Sequence, residues 1–198
     1  MFRHAAAAII LVAVFPQVHA QSSSEIRAER IALGSRPDFN AADLMEAEGV
    51  TQKEAMSLWQ KGKPVEAYNK LQGLLAKYPN SVAAHSTLAR LLKDLKSDPK
   101  APDVAVIAEK AAFHAEKARL IEDSIIGGTQ CQTAADDCRV LTWVEIYFAI
   151  GRLGGKIQSD KLETVEGRPY KVVTAKGDDG KTKAYYFEVS AFPPEWRK

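Results

Sequence analysis

The hydrophobic period of this chain changes once, and that change limits what it can fold into. From Thr51 to Arg152 apolar residues recur three and four apart. After Gly154-Gly155 they alternate with polar ones in short runs rich in Val, Thr, Tyr and Phe. The first spacing lines one stripe of an α-helix, and the second lines one face of a β-strand. The expected fold is mainly α, with a small C-terminal antiparallel β-hairpin or three-stranded meander.

Local signals divide the helical part. Ser22 to Ser24 reads as a frayed polar start, and Ile26 to Leu33 as a short helix ending at Gly34. Asn40 caps a second short helix through Ala47, stopped near Gly49. Thr51-Gln52-Lys53-Glu54 has the form of a capping box, with Ala55, Leu58 and Trp59 on one face behind it. Gly62 ends that helix, and Pro64 fits the first turn of the next, which Tyr78-Pro79 stops. Asn80 or Ser81 starts another. After the prolines of Ser97 to Pro102, a long helix is expected from Asp103 to Ile125. A last helix, from Thr133 or Asp136 to Arg152, is apolar nearly all round, which predicts burial on several sides. Strands are expected at Lys161 to Glu166, Pro169 to Ala175 and Thr182 to Ser190. Glu166-Gly167-Arg168 and Gly177-Asp178-Asp179-Gly180 supply the turns. A lone hairpin is marginal in water, so this one should pack on the last helix, with Phe192 and Trp196 closing the contact.

The first twenty residues set the compartment. Arg3 precedes an unbroken apolar run from Ala5 to Phe15, and Val18-His19-Ala20 ends it with small residues two apart. That is the pattern of a secretory signal peptide cleaved after Ala20. The run is shorter than the about 20 residues a membrane-spanning helix needs. The whole chain carries a net charge of +2 and no clustered basic excess, which argues against a nucleic-acid surface.

Cys131 and Cys138 are the only cysteines. Export to an oxidising compartment favours a structural disulfide. Closing so short a loop is worth roughly 2.5 kcal/mol on the chain-entropy estimate. A metal clip and a redox pair are the competing readings. The first lacks the usual two-to-four-residue spacing and further ligands, and the second lacks Cys-x-x-Cys.

Ala55, Ala67 and Pro79 are twelve apart, with Gly62, Leu58, Leu71 and Leu74 between them. Adding 34 to Ala55 and Leu58 gives Ala89 and Leu92, again small and apolar. This pattern resembles a tetratricopeptide repeat. The likeness is clear for one unit, continues in Ala111, Ala115 and Ala118, and extends to Trp143, Ile146 and Ile150 as a third first-helix. A generic helical bundle is the competing reading. The run AYYFEVSAF is similar to the end of some uncharacterised secreted bacterial families. The repeat resemblance implies a concave peptide-binding groove lined by Met56, Trp59, Ser86, Arg90 and Lys93, in which Arg90 and Lys93 hold a carboxylate and Trp59 gives apolar contact.

Catalytic signals are sparse. His85 and His114 are the histidines after residue 20, both in expected helix interiors. No Gly-x-Ser-x-Gly, His-Glu-x-x-His or Walker-type loop occurs. Asp136-Asp137 fits a helix start, and Asp178-Asp179-Gly180 a turn. No catalytic, metal or cofactor site is expected.

The expected organisation is a signal peptide (1–20), an extension with short helices (21–49), a tetratricopeptide-like helical domain (50–155) and a β-hairpin cap (156–198). The expected function is that of an exported, non-catalytic interaction or scaffolding module of the bacterial cell envelope, periplasmic or secreted. Its partner is a protein or peptide, with no nucleic acid and no membrane span after signal removal. The alternatives are a hydrolase of envelope polymers using acidic residues, favoured by a pocket with two pKa-shifted carboxylates, and a secreted effector or inhibitor.

Overall fold

The computed structural model describes residues 21–98, 101 and 103–197. The signal-peptide expectation falls on residues 1–20, outside the described residues. Six helices come first: α1 (Ser23–Gly34), α2 (Ala41–Gln60), α3 (Pro64–Lys77), α4 (Val82–Lys96), α5 (Val104–Ile126) and α6 (Trp143–Arg152). Three strands follow, β1 (Gly155–Val165), β2 (Arg168–Gly177) and β3 (Thr182–Glu188), in an antiparallel meander of order β1-β2-β3. The chain is mainly helical with a small C-terminal sheet, as its periodicity predicts.

Local chemistry accounts for most boundaries. Ser22 does not fray: its hydroxyl accepts the Glu25 N–H, and the Glu25 carboxylate accepts the Ser22 N–H at 2.7 Å. Asn40 caps α2, Ser81 caps α4, and Pro64 opens α3. Gly127 closes α5 in the left-handed region, with φ +65. The positive φ favours glycine there, and the Arg27 guanidinium, 2.7 Å from where a Cβ would sit, would have to shift to admit one.

Three expectations are corrected. α2 runs unbroken through Gly49 and Thr51, so Thr51-Gln52-Lys53-Glu54 is helix interior and no break separates 21–49 from 50–155. α6 begins at Trp143, and Ala134–Asp136 is only a short 3-10 turn. α6 buries Glu145, Ile146, Ala149 and Ile150 and leaves Tyr147 65% exposed. β1 also starts six residues earlier than its β-rich run, at Gly155.

Two apolar clusters hold the chain. The smaller joins Ala55 of α2, Ala67, Leu71 and Leu74 of α3, and Ala84, Leu88 and Leu91 of α4, all buried. Ala55 and Ala67 are small residues packed within this cluster. The second small-residue set behaves differently, since Ala118 is buried, Ala111 half-buried and Ala115 exposed. The larger cluster joins Ile26 of α1, Ile121 and Ile125 of α5, Ile146 and Ile150 of α6, and one face of the sheet through Val173, Tyr185 and Phe187. The C-terminal tail closes it: the Phe192 ring lies 5.1 Å from Trp143 and 5.9 Å from Trp196.

Cys131 and Cys138 form a disulfide, and the loop it closes covers an edge of the sheet. The Tyr186 N–H donates to the Cys131 carbonyl and the Glu188 N–H to the Cys138 carbonyl, each at 2.7 Å. The Val140 N–H returns a bond to the Glu188 carbonyl at 3.2 Å. Residues 186 and 188 point their N–H groups to the same side, so two carbonyls held in one closed loop satisfy the outward N–H groups at the C-terminal end of β3. Arg27 ties the loop to the helices, donating to the Ser124 carbonyl at 2.8 Å and to Asp137.

Replacing both cysteines by alanine is expected to cost about 2–3 kcal/mol in denaturant unfolding. Amide exchange should rise first at Tyr186 and Glu188, whose acceptors the loop holds. Unchanged protection there would show that the loop keeps its shape without the bridge.

Candidate functional site

Polar side chains meet at an open groove, at a histidine pair and at a polar pocket.

The groove, of about 560 Å³, lies between α2, α4 and α6. Gln52, Lys53 and Met56 line it from α2, Ser86, Thr87 and Arg90 from α4, and Phe148 from α6. Gln52 fixes its floor, donating to the Ala83 carbonyl and to the Thr87 hydroxyl, each at 3.1 Å. The Arg90 guanidinium rests against the Met56 sulfur at 3.2 Å. No carboxylate is among the lining residues, so Lys53 and Arg90 give the groove positive charge. Met56, Ser86 and Arg90 of the expected set therefore meet at one surface. Trp59 instead packs half-buried against the α2–α3–α4 cluster, and exposed Lys93 is not part of the lining. Phe148 and Gln52 were not anticipated: Phe148 read as core, and Gln52 as a capping-box residue.

The histidines are far apart in sequence and adjacent in space. His85 of α4 and His114 of α5 are each 4% exposed, with their Nδ1 atoms 2.9 Å apart. The Pro79 carbonyl can only accept, so His85 Nε2, 3.1 Å away, carries a proton and donates. Neutral His85 then accepts at Nδ1, and His114 donates from its own Nδ1. That leaves His114 Nε2 to accept from the Gln72 amide at 3.4 Å. One directed chain thus runs from α3 through α5 and α4 to the turn before α4, and it requires both rings neutral. Burial lowers His114 to about 3, helped by His85 and Lys110; burial lowers His85 to about 4, with Lys117 adding to the effect.

The polar pocket, of about 230 Å³, lies among α1, α2, the turn before α4 and the start of α6, with Glu29, Arg36, Lys77 and Pro79 exposed at its rim. Arg30 and Glu145 form an ion pair of 2.6 Å at its wall, with side chains only 3% and 4% exposed. Glu145 also accepts the Leu141 N–H at 2.5 Å. Glu48 of α2 is buried beside them and accepts the Ser81 hydroxyl at 2.5 Å. Burial pushes the Glu48 carboxyl up to about 7; the Ser81 bond opposes this and the Glu145 charge adds to it. Among the described residues no three His, Cys, Asp or Glu side chains converge to hold a metal. No described helix is long and apolar enough to cross a membrane.

Two titrations check these environments. Both imidazoles are expected to stay neutral in NMR titrations down to about pH 5. Their folded pKa values lie below the unfolded one, so their contribution is full above pH ~6.5 and is lost as pH falls toward 4. Glu48 has the opposite sign: its folded pKa is raised, so its contribution is full below pH ~4.5 and is lost as pH rises through 7. Glu48→Gln keeps the Ser81 bond and removes that loss. It should unfold at pH 8 no more easily than wild type, by a margin of about 1–3 kcal/mol.

The chain matches no protein-family model, no curated protein and no solved structure.

Proposed function

We propose that this chain is an exported, non-catalytic interaction or scaffolding module of the bacterial cell envelope, which takes a peptide segment of a partner protein in the α2–α4–α6 groove. The observation that carries the reading is the convergence of Met56, Ser86 and Arg90, from two helices, with Phe148 on one open surface. Met56 and Phe148 beside Lys53 and Arg90, which form no ion pair among the described residues, suit a segment bearing both a carboxylate and an apolar side chain. The tetratricopeptide-like interpretation belongs to the same proposal, supported by the alanine seam of α2, α3 and α4. Export draws support from the disulfide.

The test is capture of partners from envelope extracts under non-reducing conditions, with groove variants. Arg90→Ala is expected to weaken capture about tenfold, and Lys93→Ala less, because Arg90 lines the groove and Lys93 lies outside the lining. Trp59→Ala should lower stability more than capture. Undiminished capture by the Arg90→Ala, Lys93→Ala double variant would remove the groove from the function. Fractionation separates a periplasmic module from a secreted effector or inhibitor, which would accumulate in the medium.

One observation favours a second reading, an envelope-polymer hydrolase. Glu48 and Glu145 line the same cavity, and Glu48 is shifted toward neutrality as a general acid requires. Against it, Glu145 is held by Arg30 and by the Leu141 N–H, and the cavity is small for a polymer. Polymer turnover lost in Glu48→Gln would support that reading.

A further inference from the structure

The border of the sheet at β1 is self-complementary. β1 is the longest of the three strands, and among the described residues it pairs only with β2. Ile157 lies opposite Ala175 and Ser159 opposite Thr174, so Gln158 is an extra residue in a bulge. Its side chain turns back across the sheet and accepts the Thr182 hydroxyl at 3.3 Å. The bulge changes which residues share a face. Ile157 and Leu162 both pack against the larger apolar cluster, although strict alternation puts residues five apart on opposite faces. Asp160, opposite Val173, lies on that same face. Lys156, Ser159, Lys161 and Glu163 fall on the other.

With Gln158 set aside, the residues on the two sides of Asp160 complement one another. Ser159 answers Lys161, Ile157 answers Leu162, and Lys156 answers Glu163. A second copy laid antiparallel about a two-fold axis through Asp160, perpendicular to the sheet, keeps every side chain on its own face. Ile157 then meets Leu162 twice, and Lys156 meets Glu163 twice. Lys156 forms no ion pair among the described residues. Glu163 accepts from Lys161 at 2.5 Å and keeps lone pairs for a second cation. The like charges at the axis are matched, because each Asp160 pairs with Lys171 of its own β2. Moving the axis to Ser159 sets Lys156 against Lys161 and Asp160 against Ile157. Moving it to Lys161 sets that lysine against its own copy and Asp160 against Leu162.

We propose that two copies of this chain pair through β1 in the Asp160-centred register, joining their sheets edge to edge as a homodimer. The surface shares no residue with the peptide groove, so the inference is independent of that function.

The experiment is sedimentation equilibrium of the disulfide-intact chain from about 10 μM to 1 mM. Wild type should approach twice the monomer mass as concentration rises. Lys156→Glu sets a carboxylate against Glu163, and Glu163→Lys sets an ammonium against Lys156; each should weaken association at least about tenfold. Mixing the two variants restores both opposite-charge pairs in a heterodimer, and association should return to within about threefold of wild type. Where a variant fails to fold, wild type mixed from isotope-labelled and unlabelled copies still decides. NOEs should join Ile157 of one copy to Leu162 of the other, since within one strand the two are about 13 Å apart. A chain that stays at monomer mass up to about 1 mM, including one that takes another protein's strand at β1 instead, overturns the proposal. So does association that neither single variant weakens, or a mixture of the two that stays monomeric.

Discussion

The packing of the helices onto the sheet turns on Arg30. From α1 its guanidinium reaches Glu145 of α6 at 2.6 Å, the Ser124 hydroxyl of α5 at 3.4 Å and the Arg139 carbonyl at 3.3 Å. A buried charge is tolerated only where the pair is close and its other groups are bonded. Glu145 meets that condition by also accepting the Leu141 N–H, which fixes the chain as it enters α6. The pair therefore does two jobs: it sets the position of α1 over α5 and α6, and it sets where α6 starts. Buried ion pairs contribute little net stability compared with apolar substitutes, but they penalise every arrangement that separates them. Arg30 and Glu145 act here as a registration device between the N-terminal helix and the segment on which the sheet rests.

That device explains why the N-terminal helices are not an appendage. α2 continues through Gly49, where an added Cβ would meet nothing within 4 Å, so glycine there marks neither a turn nor a tight contact. The unbroken helix carries Glu48 inward to the Ser81 cap of α4 at one level and Gln52 across to Thr87 at the next. Polar links thus alternate with the alanine contacts along the α2–α4 seam. The same helix holds one wall of the polar pocket and one wall of the groove.

Much of the architecture is legible from local chemistry. The switch of period at Gly154-Gly155, the proline at the head of α3, the Gly177–Gly180 turn and the tail aromatics against α6 are each written within a few residues. The short-loop cysteines also read correctly, since they form a disulfide. What is not legible depends on partners distant in sequence. The Thr51–Glu54 pattern is a valid helix start in isolation, yet α2 runs on and leaves it in the interior, where packing outweighs a local cap. The 3-10 turn in place of a longer α6 follows from the disulfide loop, whose carbonyls are committed to β3. His85 and His114 read as ordinary helix-interior residues, and only the packing of α4 on α5 makes them a pair. Glu48 and Arg30 gave no signal, since a charged residue on a helix is most often solvated. Met56, Ser86 and Arg90 share one surface because helical spacing tracks helix faces, whereas Trp59 packs half-buried against the alanine seam.

The sheet is finished on one side only. The cysteine loop covers the end of β3 at residues 186 and 188, whereas among the described residues no strand lies beyond β1. Its register shift between Ile157 and Ser159 and its lysines at 156 and 161 discourage pairing without preventing it. A molecule with a single open border can join one neighbour through that border and then presents no other. Such contact stops at a pair of molecules face to face, and the end-to-end growth that builds fibrils has no second face from which to continue.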